Sequence, residues 1–495
     1  MSVPIIPGFH PDPTICRVGD RYYLATSSFE YVPGVPLYTS TDLLEWELVG
    51  NVLDRPSQLQ TRPGIDGASG GVYAPTLRHH GGLFWLVTTN IHDVARGHLI
   101  VHAENPEGPW SDPVHVAGLV GIDPDLHWDE DGVCRLTWSD VMRGGISQAR
   151  IDPFEGTVLS EPISLWHGTG GAHAEGPHLH SRNGWSYLLV AEGGTGPGHM
   201  VTVARSRDAE GPFESNPANP ILTHRSTSLP VQSTGHADLV ELADGGWALV
   251  HLGTRPRGSF PRWHTNGRET FLAGVDWVDD WPVVVEERFA PAEDGHGFVE
   301  TFGPGPLHPR WVSPGADPAD FARPGPGGLA LAAGRTADAT TAERLLATRI
   351  ERLEWTVSAE GSGDFALSVR IDDEHQALVE RVGDEVRARI VIGPLAQVVA
   401  SERRVPASAA LVIRSIPFDA PPGARKGPDR IVLGYGSAGE ERHLFTLDGR
   451  YLSTEVAGGF TGRMAGVEAL GGPATVTRFH CTTPTDTAPT EKDHR

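Results

Sequence analysis

The sequence predicts an all-β protein, a five-bladed β-propeller followed by a C-terminal β-sandwich. Three observations favour this fold class. Glycine and proline, 60 and 41 of the 495 residues, are spread through the chain and mark frequent turns. Helical periodicity is not sustained in any long segment, whereas aromatic and aliphatic residues recur in short strand-like runs. Five segments within the first 300 residues repeat one design.

The first segment opens with an acid, Asp12, between two prolines. Proline fixes its own φ and disfavours helical geometry in the residue before it, so we expect Asp12 to be extended and rigidly held. Strand-like runs at residues 15–18 and 21–26 flank Gly19-Asp20, which predicts a β-hairpin. The segment therefore presents an acid at the entry to a sheet.

Four later segments follow the same order, with a turn after the opening strand and then an aromatic-aliphatic strand. They open near Tyr73, Asp123, Glu175 and His236, and the hairpin turn of the third is expected at residues 129–132. Units of about 40–50 residues with up to four strands are typical of propeller blades, whose first strands line a central channel. The opening polar residues should then converge at one end of that channel. Three tryptophans in or beside aliphatic strands are interpreted as core between blades: Trp85, Trp138 and Trp247.

Composition changes after about residue 300. Two stretches rich in glycine and proline, residues 303–309 and 314–318, predict a linker. Strand-like runs with turn signals between them then predict a β-sandwich, and they lie at residues 365–371, 388–392, 411–414 and 430–435. We expect a propeller domain at 1–300, a sandwich domain at 301–484 and a disordered tail at 485–495.

Charge and cysteine content exclude several classes of function. The formal net charge of −23 argues against binding to nucleic acid or to anionic membranes. It is compatible with a neutral or cationic small substrate, and a role in solubility alone explains it at least as well. Three widely spaced cysteines suggest neither a disulfide framework nor a zinc site. No signal peptide and no membrane-spanning apolar run is recognisable, so a cytoplasmic location is expected.

The acids Asp12, Asp123 and Glu175 are the candidate catalytic residues. A single acid is usually a solvated surface charge. These three differ because each lies beside proline or glycine at the head of a strand, in equivalent places of the repeat. Hydrolysis of a glycosidic bond needs one protonated carboxyl to donate to the leaving oxygen and one carboxylate to activate water. A third carboxylate nearby would raise the pKa of the acid.

Two other features are weaker candidates. The glycine-rich residues 193–198 contain Pro197 and precede no predicted helix, which argues against phosphate binding. Three histidines flank Glu175 and could suggest a metal cluster, but no cysteine or second ligand group accompanies them. They are interpreted as polar residues of a pocket rim or of the surface: His173, His178 and His180.

Five short motifs follow one another along the chain: FHPDPTI at 9–15, GVYAPT at 71–76, IDPDL at 122–126, AEGPH at 174–178 and GRETFL at 267–272. In sequence and in order they resemble the signatures of glycoside hydrolase family 43, in particular its β-xylosidase and arabinofuranosidase members. The predicted sandwich resembles the jelly-roll, concanavalin-like C-terminal domain of the xylosidase type. The resemblance implies a five-bladed propeller and an inverting mechanism.

The resemblance also implies roles for individual residues. Asp12 matches the general base, Asp123 the carboxylate that orients the site and raises the pKa of the acid, and Glu175 the general acid. Arg268 matches an arginine that contacts the sugar and the carboxylates. An inverting pair should stand about 6.5–9.5 Å apart to admit the attacking water.

The remaining implied residues concern binding. His236 matches a channel histidine that contacts substrate and, in some members, helps to hold a calcium ion or its waters. Phe29 and Tyr73 match aromatic walls of the sugar pocket, with Tyr73 standing where many members have tryptophan. Phe460 resembles a sandwich-domain residue that closes the pocket from above.

Together these features predict an exo-acting β-xylosidase that takes small xylo- or arabinoxylo-oligosaccharides. Its chemistry requires no cofactor, although a structural calcium ion in the channel is compatible with it, and by resemblance a homo-oligomer is expected. The first alternative is an α-L-arabinofuranosidase or a dual-activity enzyme of the same family, because pocket walls decide between similar sugars. A non-catalytic sugar-binding propeller is the second alternative. The three acids argue against it, since a lectin has no use for an acid–base pair.

Overall fold

The computed structural model describes residues 3–65, 67–129, 132–292, 297–335, 344–419, 421, 423–437 and 440–483. The chain divides into two compact units. The first comprises Met1–Pro63, Gly70–Arg255 and Arg268–Ala292, and the second comprises Gly64–Ser69, Pro256–Gly267 and Glu293–Arg495. The domain limits given above stay predictions. Residues 130 and 131 of the expected turn and the expected tail at 485–495 lie outside the described residues.

The described part of the first unit consists of short antiparallel strands. The strands are β1 (Thr14–Val18), β2 (Arg21–Ala25), β3 (Tyr31–Val32), β4 (Gly34–Ser40), β5 (Glu47–Leu53), β6 (Thr76–His80), β7 (Leu83–Thr88), β8 (His98–Ala103), β9 (Val114–Val116), β10 (Gly121–Trp128), β11 (Cys134–Asp140), β12 (Ile146–Asp152), β13 (Thr157–Val158), β14 (Ile163–Trp166), β15 (Glu175–Arg182), β16 (Trp185–Glu192), β17 (Met200–Ser206), β18 (Glu214–Ser215), β19 (Gln232–Glu241), β20 (Trp247–Thr254), β21 (Glu269–Val278) and β22 (Trp281–Val285). Two 3₁₀ turns, Ile91–Arg96 and Glu286–Arg288, accompany them.

These strands form five sheets that close into a ring. Four of the sheets have four strands each, in the orders β1-β2-β4-β5, β6-β7-β8-β9, β15-β16-β17-β18 and β19-β20-β21-β22. The fifth sheet has the order β10-β11-β12-β13, with β14 paired to β12. The first strands contact one another in the order β1, β6, β10, β15 and β19, and β19 returns to β1. At the N-terminus, Ile5 and Ile6 donate backbone hydrogen bonds to Thr270 in β21. The described first unit is therefore the five-bladed propeller that the repeats predict.

An apolar cluster lies between each pair of neighbouring blades. Leu37 of the first blade packs with Leu77 of the second, and Leu179 of the fourth packs with Ile146 of the third. The interpretation of three tryptophans as core is confirmed, since Trp85 and Trp138 lie in the cluster between the second and third blades and Trp247 in that between the fourth and fifth. Burial of the alternating apolar side chains thus fixes the spacing of the blades.

The first strands carry irregularities at their heads. Register shifts fall between Ile122 and Asp125 in β10 and between Glu175 and His178 in β15, and β19 has two more, one on each side of Gly235. Such bulges bend a strand and redirect its side chains. At or next to the opening residues of four blades the backbone is left-handed, with φ of 56° at Asp12, 53° at Asp123, 57° at Gly176 and 48° at His236.

The prediction that Asp12 is extended is therefore wrong. The steric preference exerted by Pro13 is overcome by the surrounding contacts, because Ser27 donates its backbone N–H to the carbonyl of Pro11 at 3.1 Å. The Asp12 side chain is also held by hydrogen bonds from Ser27 and Arg268. A strained backbone conformation persists where the surroundings specify it this strongly, and such residues cluster at functional sites.

The described part of the second unit is also made almost entirely of strands. They are β23 (Phe298–Glu300), β24 (Ser313–Pro314), β25 (Ala322–Gly325), β26 (Gly328–Leu331), β27 (Leu346–Arg349), β28 (Trp355–Ser362), β29 (Phe365–Asp372), β30 (His375–Val382), β31 (Glu385–Ile392), β32 (Leu395–Arg403), β33 (Ala410–Ile416), β34 (Arg430–Ser437), β35 (Glu440–Asp448), β36 (Met464–Ala469) and β37 (Ala474–Thr482). Short helical turns lie at Pro318–Asp320, Gly449–Leu452 and, as α1, Thr454–Ala457.

Two antiparallel sheets enclose the core of this unit. One has the order β25-β26-β37-β28-β33-β34-β35 with β23 beside β37, and the other has the order β27-β36-β29-β30-β31-β32. Leu367 and Val369 of β29 and Ile413 of β33 meet in one buried cluster between the sheets. The predicted sandwich is confirmed, and the four predicted strand runs are found as β29, β31, β33 and β34. No helix in the described parts of either unit is long and apolar enough to cross a membrane.

Candidate active site

The propeller brings the three predicted acids together at the heads of its first strands. Asp12 and Asp123 are buried, and Glu175, the first residue of β15, is half-buried. The backbone N–H of Gly176 donates to Asp123 at 3.1 Å, which ties the two acid-bearing strands together. Each carboxyl feels the charge of at least one of the others. The site is therefore a buried cluster of three carboxyl groups.

Asp12 has the partners of an ionised carboxylate. Arg268 donates to its Oδ1 at 2.8 Å, Ser27 donates to its Oδ2 at 2.6 Å, and His236 Nδ1 lies 3.6 Å from Oδ1. Burial alone would raise the pKa of this carboxyl, but the charge of Arg268, the nearby His236 and the Ser27 hydroxyl lower the pKa below its ordinary value. Asp12 is thus ready to accept a proton from water near neutral pH.

Glu175 has the opposite environment. Burial, and then the charge of Asp12, raise its pKa to about 7. Burial also raises the pKa of Asp123, and Glu175 and Asp12 raise it further. Since Asp123 and Glu175 interact strongly, they titrate as a pair, and the pair keeps a proton near neutral pH. Carboxyl groups whose pKa values are pushed apart in this way are suited to act as base and acid.

Ser27 is not identified from the sequence, although the register of the first hairpin places this residue opposite Asp12. Thr14 in β1 pairs with Ala25 in β2. Continuing that register by two residues places residue 27 opposite residue 12. A hydroxyl at that position is therefore a predictable partner for the acid.

Arg268 joins the carboxylate to two other parts of the site. Besides Asp12, it donates to the hydroxyl of Thr195 at 3.0 Å, and its guanidinium lies 5.9 Å from the ring centre of Phe29. Thr195 belongs to the glycine-rich stretch 193–198, which sequence reasoning considered only for phosphate binding. The stretch instead supplies a contact to the arginine of the site.

Phe29 and Tyr73 lie side by side, as walls of one pocket would. Their ring centres are 5.5 Å apart, and Phe29 stacks on Phe9 at 5.7 Å. The backbones of Phe29 and Val72 exchange two hydrogen bonds of 2.9 Å, which fixes the position of the neighbouring Tyr73. The role of these rings in binding a sugar stays a prediction.

His236 is buried beside the cluster of carboxyl groups. Burial lowers its pKa to about 4, so the ring is neutral at physiological pH. Calcium prefers six to eight oxygen ligands. Among the described residues no group of three or more His, Cys, Asp or Glu side chains could hold a metal ion. The protein groups near His236, which include the cation Arg268, therefore do not fit a direct calcium cage.

A buried ion network lies deeper in the channel and joins several blades. Arg78 of the second blade lies 2.8 Å from Asp125 of the third and 2.8 Å from Asp238 of the fifth. His180 of the fourth blade contacts Asp238 at 2.9 Å. Burial opposes ionisation of Asp238, but Arg78 and the histidines hold its pKa well below the ordinary value. Sequence reasoning did not identify this network.

The network corrects the interpretation of the histidines beside Glu175. His178 is buried, with Nδ1 3.1 Å from a nitrogen of Arg78, and His180 bonds to Asp238. They point into the channel because alternate residues of β15 face the same way beyond its bulge. The placement at a pocket rim or at the surface is thus wrong for His178, whereas His180 is partly buried and lines a pocket together with Arg78 and His79. His173 is exposed as expected.

Phe460 lies in the second unit. It follows α1, and its backbone N–H donates to the hydroxyl of Ser69 at 2.8 Å, within the same unit. A Cβ on the preceding Gly459 would have no room, since Ser69 and the carbonyl of Gly67 approach it closely. The loop is therefore held in a defined conformation, and its role in closing a pocket stays a prediction.

Comparison with known proteins is consistent with this site. The sequence model of the glycosyl hydrolases family 43 matches residues 1–282, more than half of the chain. Among curated relatives, a non-reducing end α-L-arabinofuranosidase of Bacteroides ovatus is 42% identical over 306 residues, which cover 60% of this chain and 57% of the relative. A xylosidase/arabinosidase of Humicola insolens is 45% identical over 293 residues, covering 56% and 53%. The matches thus span little more than half the length of these relatives.

Solved structures align over nearly the whole chain. The structure described as Bacteroides ovatus xyloglucan PUL GH43B has a TM-score of 0.86 at 32% identity and covers 98% of this chain and 99% of its own. A xylan β-1,4-xylosidase from Bacillus halodurans has a TM-score of 0.84 at 29% identity, with coverage of 97% and 100%.

Proposed function

This chain belongs to glycosyl hydrolase family 43, and on that premise we propose that it is an exo-acting, inverting β-xylosidase that releases terminal xylose from β-1,4-xylo-oligosaccharides. One observation carries the proposal. The buried cluster contains a carboxyl whose pKa is lowered, Asp12, and one whose pKa is raised to about 7, Glu175. Hydrolysis of a glycosidic bond requires one carboxylate that is ionised near neutral pH and one carboxyl that still holds a proton there.

The mechanism follows from an ionised Asp12 and a protonated Glu175. Asp12, held by Arg268 and Ser27, accepts a proton from a water molecule whose oxygen bonds to the anomeric carbon. Glu175 gives its proton to the oxygen of the leaving sugar as the glycosidic bond breaks. Asp123 lies beside Glu175 and helps to keep a proton on the pair. Solvent then reprotonates Glu175 and removes the proton from Asp12, and the configuration at the anomeric carbon is inverted.

An α-L-arabinofuranosidase, or an enzyme with both activities, is the second candidate, because both activities appear in the names of the relatives. The deciding experiment is kcat/KM on the aryl β-D-xylopyranoside and the aryl α-L-arabinofuranoside, side by side. A xyloside preference above about tenfold, or about 1.4 kcal/mol in the transition state, supports the xylosidase. The reverse preference supports the arabinofuranosidase, and turnover of neither substrate overturns both.

Calcium is proposed in one form, a hydrated ion held in the channel by His236 through water, since the described side chains make no direct cage. Elemental analysis of the purified protein tests it. Calcium near one equivalent, with a loss of thermal stability after chelation, would support the ion. Absence of calcium from fully active enzyme would remove it.

Two further properties are proposals. A homo-oligomer is expected from resemblance, and light scattering coupled to gel filtration measures the mass against the 53.1 kDa of one chain. A cytoplasmic location suits an enzyme that finishes imported short oligosaccharides. Cell fractionation with an activity assay tests it, and activity mainly outside the cytoplasmic fraction would contradict it.

A further inference from the structure

The segment that leads to Glu175 has no strand partner. β14 ends at Trp166 and β15 begins at Glu175, and the eight residues between them, 167–174, lie mostly at the surface. A surface segment without a sheet ladder is normally mobile. A general acid, however, must be aimed at the leaving oxygen with sub-ångström precision. We therefore expect contacts from the propeller to hold residues 167–174 in place.

A fully buried carboxylate, Glu192, lies beneath this segment. The backbone N–H of Thr169 donates to both of its oxygens, at 2.8 and 3.0 Å, and the N–H of Gly171 donates at 2.7 Å. The hydroxyls of Thr169 and Thr202 add bonds of 3.2 and 2.6 Å. A Cβ on Gly171 would lie 2.8 Å from the carboxylate, so the backbone rests directly on it. Hydrogen bonds to a charged acceptor are the strong ones.

Glu192 also stands directly before the glycine-rich stretch 193–198, which contacts Arg268, the partner of Asp12. Glu192 is the last residue of β16, and the next residue, Gly193, donates its N–H to the carbonyl of Ala172 at 2.7 Å. Two residues further on, Thr195 accepts from Arg268, which in turn holds Asp12. The approach to the acid and a support of the base are thus both attached at one end of β16.

We propose that Glu192 is a positioning residue that holds the segment before Glu175 on the propeller, so that the general acid is aimed at the leaving-group oxygen. The inference rests on the proposed glycosidase function and names a device that this function needs. The hydrogen bonds that Glu192 accepts come from Thr169, Gly171 and Thr202. It acts through the backbone of residues 169–171, and a bond from Ser139 Oγ to the carbonyl of Ala174, at 3.0 Å, completes the support.

Glu192→Gln tests the role. The amide keeps the shape, but it replaces one acceptor oxygen by a donor that faces other donors, so part of the support is lost. Two substrates with the glycone that the wild type prefers are compared, one with an activated dinitrophenyl leaving group and one with a sugar leaving group. An activated leaving group departs with little protonation, whereas a sugar needs the acid. We expect kcat/KM to fall on the order of ten- to a hundredfold more for the sugar leaving group than for the dinitrophenyl one.

The pH profile supplies a second readout. In the wild type, activity should fall on the alkaline side as Glu175 loses its proton, around a pKa of about 7. If the segment loosens, Glu175 gains contact with water, its pKa falls towards the ordinary value, and the alkaline limb moves to lower pH. A variant that is only less well folded would lose activity without moving the limb.

Two variants control the experiment, and a third is a second test of the segment. Asp152→Asn removes a carboxylate that accepts from the backbone N–H groups of Phe154 and Glu155, at 2.9 and 3.3 Å, in a turn of the third blade, and it should leave the ratio of the two substrates unchanged. Thr202→Val removes the hydrogen bond that β17 donates to Glu192 but leaves the bonds from Thr169 and Gly171, so it should have a small effect. Ser139→Ala loosens the same segment without touching a buried charge, and it serves if Glu192→Gln does not fold.

The outcomes are separable. If the wild type cleaves neither xylosides nor arabinofuranosides, the proposed function itself fails. If it cleaves them, and Glu192→Gln or Ser139→Ala lowers both leaving groups equally with no shift of the alkaline limb, the function stands and the positioning role is overturned. A selective loss on the sugar leaving group, with the limb displaced, supports the positioning role.

Discussion

Glu175→Gln should stabilise the folded protein at alkaline pH while it removes activity. The substitution keeps the size of the side chain and deletes its charge. In the folded state, burial and the charge of Asp12 raise the pKa of Glu175 from 4.5 to about 7. The folded state therefore binds a proton that the unfolded chain has already released, and stability that is present at low pH is lost as the pH rises through about 7.

The size of the effect follows from the same values. Each pH unit between the unfolded and folded pKa values corresponds to about 1.4 kcal/mol, so a rise from 4.5 to about 7 gives about 3 kcal/mol at pH 8 and less than about 1 kcal/mol at pH 5. This is an upper figure, because Glu175 shares its proton with Asp123, and because Glu175 is half-buried and water screens part of the charge. Glutamine is neutral at both pH values, so the variant should gain stability over the wild type chiefly at pH 8.

Urea unfolding followed by tryptophan fluorescence measures the difference, because the propeller blades contain buried tryptophans such as Trp138. The midpoint of the propeller transition is compared at pH 5 and pH 8 for wild type and variant. Hydrolysis of a disaccharide with the glycone that the wild type prefers should fall on the order of a hundredfold or more, since the proposed proton donor is missing.

Asp12→Asn is the matched control with the opposite sign. The pKa of Asp12 is lowered in the folded state, mainly by Arg268 against the cost of burial. Its removal leaves that buried guanidinium without its carboxylate, so the variant should be less stable at both pH values. An equal gain for Glu175→Gln at pH 5 and pH 8, or a loss at pH 8, would refute the assignment of a raised pKa to Glu175.

Three further predictions concern the surroundings of the acids. Ser27→Ala removes a bond that lowers the pKa of Asp12, so the acidic limb of the kcat/KM profile should move to higher pH while the alkaline limb stays, and an unmoved acidic limb would argue against this contact. Arg78→Leu leaves two buried carboxylates uncompensated and should lower the free energy of unfolding by about 3–5 kcal/mol, measured by urea unfolding; a loss below about 1 kcal/mol would contradict the ion network. Gly176→Ala places a Cβ within 2.9–3.1 Å of the His236 ring at a positive φ, and should cost about 1–3 kcal/mol in stability together with most of the activity, with wild-type kinetics as the opposing result.

Much of this site was predictable because the fold repeats. Once the chain is divided into five units, the opening residues of each unit must meet at one end of the channel, and Asp12, Asp123 and Glu175 follow from that rule. The hairpin after Asp12 and four strands of the sandwich were likewise predicted from turn residues and short apolar runs. Each of these predictions rests either on a local sequence pattern or on an internal repeat of the sequence.

What escaped prediction depends on contacts between distant parts of the chain. The left-handed conformation of Asp12 contradicts the local preference set by Pro13, and only packing against Ser27 and Arg268 selects it. Arg78 and Asp238 are 160 residues apart, and neither lies in a motif that announces an ion pair. In the sequence, Glu192 does not differ from any other acid at the end of a strand. Its role follows only from the backbone N–H groups that bond to it, such as that of Gly171.

The distribution of cations explains why a proton resides where the proposed mechanism needs it. Arg268 bonds to Asp12, and Arg78 bonds to the deeper Asp125 and Asp238, so these three carboxyls have lowered pKa values. Within the described residues, Asp123 and Glu175 form no salt bridge. Two guanidiniums therefore hold three carboxylates in the ionised form, and the proton left in the cluster remains on the pair without a cation of its own. Placing a lysine or arginine beside Glu175 should accordingly abolish its role as an acid, because it would lower the pKa without touching the carboxyl itself.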